Sequence, residues 1–303
     1  MKIIKQSHQL LPDMADLSKQ IEVRARLCYQ SGDKITDTSH EKFVAGIIKN
    51  GHNSCLEMAR ITVRDASCCE FILTSKFIES SYHEGYLYHS GSIRAWRETS
   101  NLPIGFKSLL HVKYPTFFEN PYSKGIPRLY SDYTIYEYPE DGPDYMLHKY
   151  QAAKFITNRA MSHEIVRHRN NCSFLQESQR YVSYDKPGGI EFIRPIGFDN
   201  WGEVCQDRFW HTCSDAELNY KYDRQDGLTP QQARNNLPNS TKTEIIVYAS
   251  LKEWMHIFHL RTRGGADPQM IALMTPVLEE FRAVYPGRFD TLTPSVAGKL
   301  KKF

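Results

Sequence analysis

MSHEIVRHRNNCSFLQESQRYVSY, residues 161–184, reads as the end of a helix, a basic turn and a polar loop that enters a strand. It sets Arg167, His168, Arg169 and Arg180 within fourteen residues, interleaved with Ser173, Gln176, Glu177 and Ser178. Guanidinium groups held that close repel one another unless anions or carboxylates lie among them. Arg forks match phosphate oxygens in bidentate geometry, and serine hydroxyls add further donors. An isolated RHR would be a solvated turn at a helix end, where the helix dipole favours cations. The SFLQESQRY that follows shifts the reading towards a binding loop, since sites concentrate on such loops.

Outward from this stretch, helical character is expected over 147–168, 206–225 and 267–284. Thr241 or Thr243 is expected to open a long helix on which Leu251, Met255 and Phe258 form a buried stripe. Thr229 caps a short helix, with Pro230 at its first position and Gln232 near. Residues 41–50 place Phe43, Val44, Ile47 and Ile48 at helical spacing, and Gly51 ends that helix. Residues 59–74 alternate and read as one or two strands. Residues 103–145 show little periodicity and are expected to form an ordered surface insertion within a single domain, 1–303. Mixed strands with segregated helices, rather than alternating strand and helix, define an α+β class.

Bulk composition excludes more than it assigns. A 41% apolar and 24% charged chain of 303 residues is ordinary for a globular protein. The net charge of +3 is too small for a nucleic-acid coat but suits small anions if the arginines converge. No apolar run reaches the ~18–20 residues of a membrane span, and the N-terminal stretch lacks a signal-peptide core. The seven cysteines form no CxxC pair, which predicts reduced thiols in a cytoplasmic protein and no metal site. Neither GxGxxG nor GxxxxGK[ST] is present.

Two further clusters carry chemistry. In GHNSCLEMARITV, residues 51–63, His52, Ser54 and Glu57 lie within one turn's reach, and Ser54 and Glu57 fit an S-x-x-E capping box. In ARNNLPNSTKTEIIVYASLKEWMHIFHLR, residues 233–261, Ser250, Trp254, Ile257 and Arg261 share one helical face. Arg261 is either a partner for the helix C-terminus or a permanent charge projected into a cleft.

Taken together, GHNSCLE, SGSIRAW (90–96), SHEIVRHR with SFLQESQRY, ARNNLPNSTKTEI and LKEWMHIFHLR leading to ADPQM resemble the flavin-dependent thymidylate synthase (ThyX) family. The resemblance runs from about residue 25 to about residue 281, with 103–145 matched least, as a family-atypical insertion. It implies an antiparallel sheet packed by helices, with long C-terminal helices. It implies reductive methylation of dUMP to dTMP, with methylenetetrahydrofolate as carbon donor, FAD as hydride relay and NADPH as reductant. It also implies a homotetramer that shares each site among subunits. By the same resemblance His52, Ser54, Glu57, Arg167, His168, Arg169, Gln176, Ser250, Leu251, Lys252 and His256 match FAD-site positions. Glu164, Arg167, Gln176, Glu177, Ser178, Arg180 and Arg234 match dUMP-site positions, and Arg261 matches the catalytic arginine against the uracil ring.

Three departures from the family pattern stand out. Eight residues separate Arg169 from Ser178, one more than usual, and the extra residue falls within 170–172. Ser92, and Ser250 with Lys252, stand where the family often has Asn, and Asn with Arg. The rival enzyme reading is a relative that transfers another one-carbon group, such as hydroxymethyl, to a pyrimidine nucleotide. The rival outside enzymology is a nucleic-acid-binding module built on the RHR segment, which the low net charge and scattered tyrosines oppose.

Overall fold

Nine residues, Lys242–Ser250, form the strand on which the C-terminal half is built. The computed structural model describes residues 1–66, 75–123, 125, 127–185 and 188–295. In chain order it contains β1 (Lys2–Ile4), β2 (Ser7–Leu11), α1 (Leu17–Ala25), α2 (Ser39–Lys49), β3 (Arg60–Asp65), β4 (Ile78–His83) and β5 (Tyr86–Ser92). Next come α3 (Ile93–Glu98), α4 (Ile104–Lys113), β6 (Tyr133–Ile135), α5 (Tyr145–His148), β7 (Tyr150–Asn158), α6 (Arg159–Ile165) and β8 (Cys172–Gln176). The chain then forms β9 (Glu191–Ile193), α7 (Glu203–Gln225), α8 (Pro230–Ala233), β10 (Lys242–Ser250), α9 (Leu251–Arg261) and α10 (Pro268–Val284).

Two four-stranded antiparallel sheets, ordered β2-β7-β10-β8 and β4-β5-β3-β6, and a parallel β1–β9 pair give the α+β class. Strand β10 pairs along its whole length with β7, from Lys242 opposite Asn158 to Ser250 opposite Tyr150. One core packs α1–α4 on the second sheet around Trp96 and Phe106. Another packs α6, α9 and α10 on the first sheet around Trp254, Phe258 and Phe281. No helix among the described residues is long and apolar enough to cross a membrane.

The helices expected near 41–50, 206–225 and 267–284 are present, as α2, α7 and α10. Gly51 sits at φ +69°, the left-handed conformation that ends α2. At α8 the Thr229 amide donates to Gln232 Oε1 at 2.9 Å. Two expected helices are instead strands. Over 147–168, β7 occupies 150–158 and only α6 is a helix of more than four residues. The long helix expected from Thr241 or Thr243 is strand β10 up to Ser250, and the helix proper starts at Leu251. Both strands are central in their sheet, and the last six residues of β10 are all buried. Burial on both faces removes the alternation that marks a half-buried strand.

Of the strands expected in 59–74, β3 accounts for 60–65, and 67–74 lie outside the described residues. Residues 103–145 carry α4, with Phe106 and Leu110 fully buried, and β6, which pairs with β3. This stretch therefore contributes to a core and a sheet, which its weak periodicity did not reveal.

Candidate active site

The junction of β10 and α9 organises the site. Ser250 is fully buried, and its Oγ accepts from the Glu253 amide at 3.1 Å, capping α9. Its own amide donates to the Asn171 carbonyl at 3.1 Å, which ties the approach to β8 onto the start of α9. Asn171 has φ +48°, a left-handed conformation that Asn tolerates better than most residues. This turn lies within 170–172, where the extra residue of the sequence is placed.

Beside the junction lies a cleft of about 1360 Å³. Five cationic side chains border it: Arg60, Lys76, Arg94, Arg169 and Lys252. Arg94 donates to Glu57 Oε1 at 2.7 Å and to Glu98 Oε1 at 2.8 Å. Arg60 lies 3.7 Å over the Tyr150 ring and donates to the Ser90 carbonyl. Cys172 also borders the cleft, but burial, with the charges of Glu253 and Glu57, pushes its thiol well above the ordinary range. A thiol held protonated in this way is a poor nucleophile.

Next to the cleft, Arg261 closes α9 as part of a chain of side chains. Its Nη1 donates to Glu164 Oε2 and its Nη2 to the Glu164 carbonyl, both at 2.8 Å. Its Nε donates to His168 Nε2 at 3.1 Å. A guanidinium only donates, so Nε2 carries the lone pair and the proton is assigned to Nδ1. That nitrogen lies 3.4 Å from Glu253 Oε1. His168, Glu253 and His256 bring possible ligand atoms within 4.8 Å of one another. With its proton on Nδ1, His168 would have to lose that proton before it could ligate a metal ion there.

At the far end of β8 the residues expected around the nucleotide form a separate group. Gln176 Nε2 donates to Ser162 Oγ at 2.8 Å and Thr243 Oγ1 at 3.1 Å. Buried Glu177 accepts from Tyr184 at 2.6 Å and from Lys242 at 3.3 Å. Lys242 is held above its ordinary pKa because Glu177 and Glu244 outweigh the opposing effect of burial, itself the largest single contribution. Ser178 Oγ accepts from the Arg180 amide, and Arg180 Nε donates to Gln231 at 2.9 Å. Arg234 opens the turn after α8.

The expected site residues are therefore divided within one chain. Glu57, Arg169, Ser250, Lys252 and His256 border the cleft, and Glu164, His168 and Arg261 adjoin it through Glu253. Gln176, Glu177, Ser178 and Arg180 lie at the other end of the five-residue β8, about 17 Å away at ~3.3 Å per residue. Arg167 is exposed, as a solvated turn residue would be. His52 and Ser54 are exposed, with His52 against the Tyr29 hydroxyl at 3.2 Å. The Ser54–Glu57 capping box does not form, because the segment is a 3₁₀ turn and Glu57 reaches Arg94 instead. Leu251 is fully buried in the second core, so its side chain is committed to packing.

Sequence reasoning missed Glu253, Arg60 and Arg94. Arg94 lies within SGSIRAW, so the motif itself carries the signal that could have found it. Ser250-Leu-Lys-Glu253 is itself an S-x-x-E pattern that marks the true start of α9.

Residues 148–287, which hold β7, β8, β10, α9 and the expected site residues from Glu164 to Arg261 but not Glu57, match the family described as thymidylate synthase complementing protein. Curated relatives that match this chain are named flavin-dependent thymidylate synthases. Among its relatives, the flavin-dependent thymidylate synthase of Geobacter sulfurreducens is 34% identical over 139 residues, 45% of this chain and 58% of that one. The enzyme of the same name from Sulfurisphaera tokodaii is 31% identical over 138 residues, 46% of this chain and 52% of that one. The chain thus spans about half the length of the curated relatives it matches. A solved structure it is similar to is a UMP/dUMP methylase, PolB, from Streptomyces cacaoi bound with 5-Br dUMP. That likeness covers 96% of both chains at 12% identity and a TM-score of 0.46.

Proposed function

We propose that this protein methylates dUMP reductively to dTMP, with FAD as hydride relay, NADPH as reductant and methylenetetrahydrofolate as carbon donor. The observation that carries the reading is the cleft of about 1360 Å³ with five cations, joined to Arg261 through Glu253 and His168. Sites for drug-sized ligands run to about 1,000 Å³, so a dinucleotide fits by volume. Lys252 and Arg169 suit its phosphates by charge. When bound, the flavin supplies hydride-transfer chemistry.

The chain's own residues bind and polarise. Of the five N–H donors of a guanidinium, three on Arg261 are taken by Glu164 and His168, and two remain for a substrate. Set against the N3–O edge of uracil, they stabilise negative charge on the ring as C5 becomes nucleophilic. Ser178 donates a hydrogen bond to the nucleotide, and Arg180 and Arg234 hold its phosphate. The separation along β8 favours sites completed by neighbouring copies in a homotetramer.

The test is to incubate purified protein with dUMP, methylenetetrahydrofolate and NADPH and to identify the product by mass. A dTMP mass supports the reading, and a product heavier by one oxygen replaces it with hydroxymethyl transfer. A colourless protein that cannot be reconstituted with FAD overturns both.

A further inference from the structure

We propose that Glu253 is a positioning residue that holds His168 in its Nδ1–H tautomer and so steers Arg261. The proposal rests on the reading of Arg261 as the group that meets the substrate.

Glu253, Ile257 and Arg261 fall on one stripe of α9, at i, i+4 and i+8. Eight residues span about 12 Å of helix, too far for a carboxylate and a guanidinium to be joined by one hydrogen bond. The imidazole of His168, from the segment after α6, fills that gap. It receives Arg261 Nε at 3.1 Å on one side and lies 3.4 Å from Glu253 on the other. His168 and Glu253 are only 5% and 7% exposed, so water does not readily replace either partner. Were the proton on Nε2, two N–H groups would face each other across 3.1 Å and Arg261 would have to turn away. A carboxylate beside Nδ1 favours the tautomer that prevents this.

A purely structural role predicts otherwise. As an acid in the first turn of α9, Glu253 would serve the helix dipole alone, and its loss would lower stability without moving the His168 proton.

The test compares E253Q, whose amide oxygen keeps an acceptor beside Nδ1–H, with E253L, which offers none. Long-range ¹H–¹⁵N correlation spectra of histidine-labelled protein report the tautomer, with the His168 signal assigned by H168Q. Wild type and E253Q are expected to show Nδ1–H, and E253L to shift towards Nε2–H. The kcat of E253L is expected to fall about tenfold or more with KM for dUMP little changed, while E253Q stays within about threefold of wild type. Should E253L fail to fold, E253A serves in its place. Nδ1–H retained in E253L, or E253Q losing as much turnover as E253L, overturns the proposal. If no variant makes dTMP but the tautomer still switches, the positioning role stands and the synthase reading fails.

Discussion

Arg261 Nε donates to His168 Nε2 across 3.1 Å, a contact that requires the lone pair on Nε2 and the proton on Nδ1. The same contact leaves Arg261 held on one edge and open on the other.

Arg261→Ala is therefore expected to keep its flavin spectrum and lose turnover by about 10²–10³-fold, the scale of one lost electrostatic donor group. Arg261→Lys should not rescue it, because an ammonium cannot reach Glu164 and His168 together. Steady-state dTMP formation and the flavin absorbance of the same preparation check both statements. Near-normal turnover in Arg261→Ala removes it from the site.

The turn at Asn171 gives a second prediction. Asn171→Gly keeps the left-handed backbone at no steric cost and should fold as wild type. Asn171→Val should lose about 1–2 kcal/mol, because a β-branched residue resists φ +48°. Urea midpoints compare them, and equal midpoints would show that the turn relaxes. Deleting Asn171 should also lower flavin retention, since its carbonyl receives the Ser250 amide.

Stability should depend on pH through His148. Burial, then the charges of Arg60 and His89, pull its pKa down to about 4 from 6.5. Its Nδ1 pairs with Ser90 at 2.7 Å and its Nε2 with Ser81 at 2.8 Å. Between pH 4 and 6.5 the unfolded chain binds the extra proton, so this stability is present above 6.5 and is lost as pH falls. The loss from pH 7 to pH 5 should be about 2 kcal/mol by denaturant unfolding. Burial lowers the His89 pKa as well, against the opposing charge of Asp65, so His89 adds to the same loss of stability as pH falls. His148→Gln should flatten the dependence, and an unchanged slope would remove His148 as its source.

Thiol reactivity should be ordered by burial. Burial, with Cys55 beside it, pushes Cys28 up to about 12, and burial takes Cys55 to about 11. Cys172 is higher than usual too, whereas Cys205 is exposed on α7. Among the five cysteines described, Cys205 should react first with iodoacetamide at pH 8, as read by peptide mass mapping. Early labelling of Cys172 would mean that the β8 approach opens.

How much of this was legible in the sequence follows from where each signal lives. Amphipathic surface helices such as α2 and α10 show their period directly. The run Ile245-Ile246-Val247-Tyr248 has strand-forming residues but no alternation, so in sequence it reads as a continuation of the helix pattern in 251–261. Local motifs such as RHR and SQRY name residue types but not distances. That Arg169 and Ser178 stand at opposite ends of β8 depends on strand pairing across more than seventy residues, as in Phe174 opposite Val247. Glu253 was hidden for a related reason, since its partner His168 is 85 positions away.

The length of β8 bears on how damage to one copy would spread. Under the proposed sharing, a chain altered at Arg180 and another altered at Arg261 are each defective at a different end of the strand. Mixed together and allowed to exchange, some hybrid assemblies would contain a site with neither lesion, and turnover should return in part where each parent alone has little. Heterozygous loss would then be gradual rather than all-or-none, and a recovered rate in the mixture would report directly that the strand divides one site between two molecules.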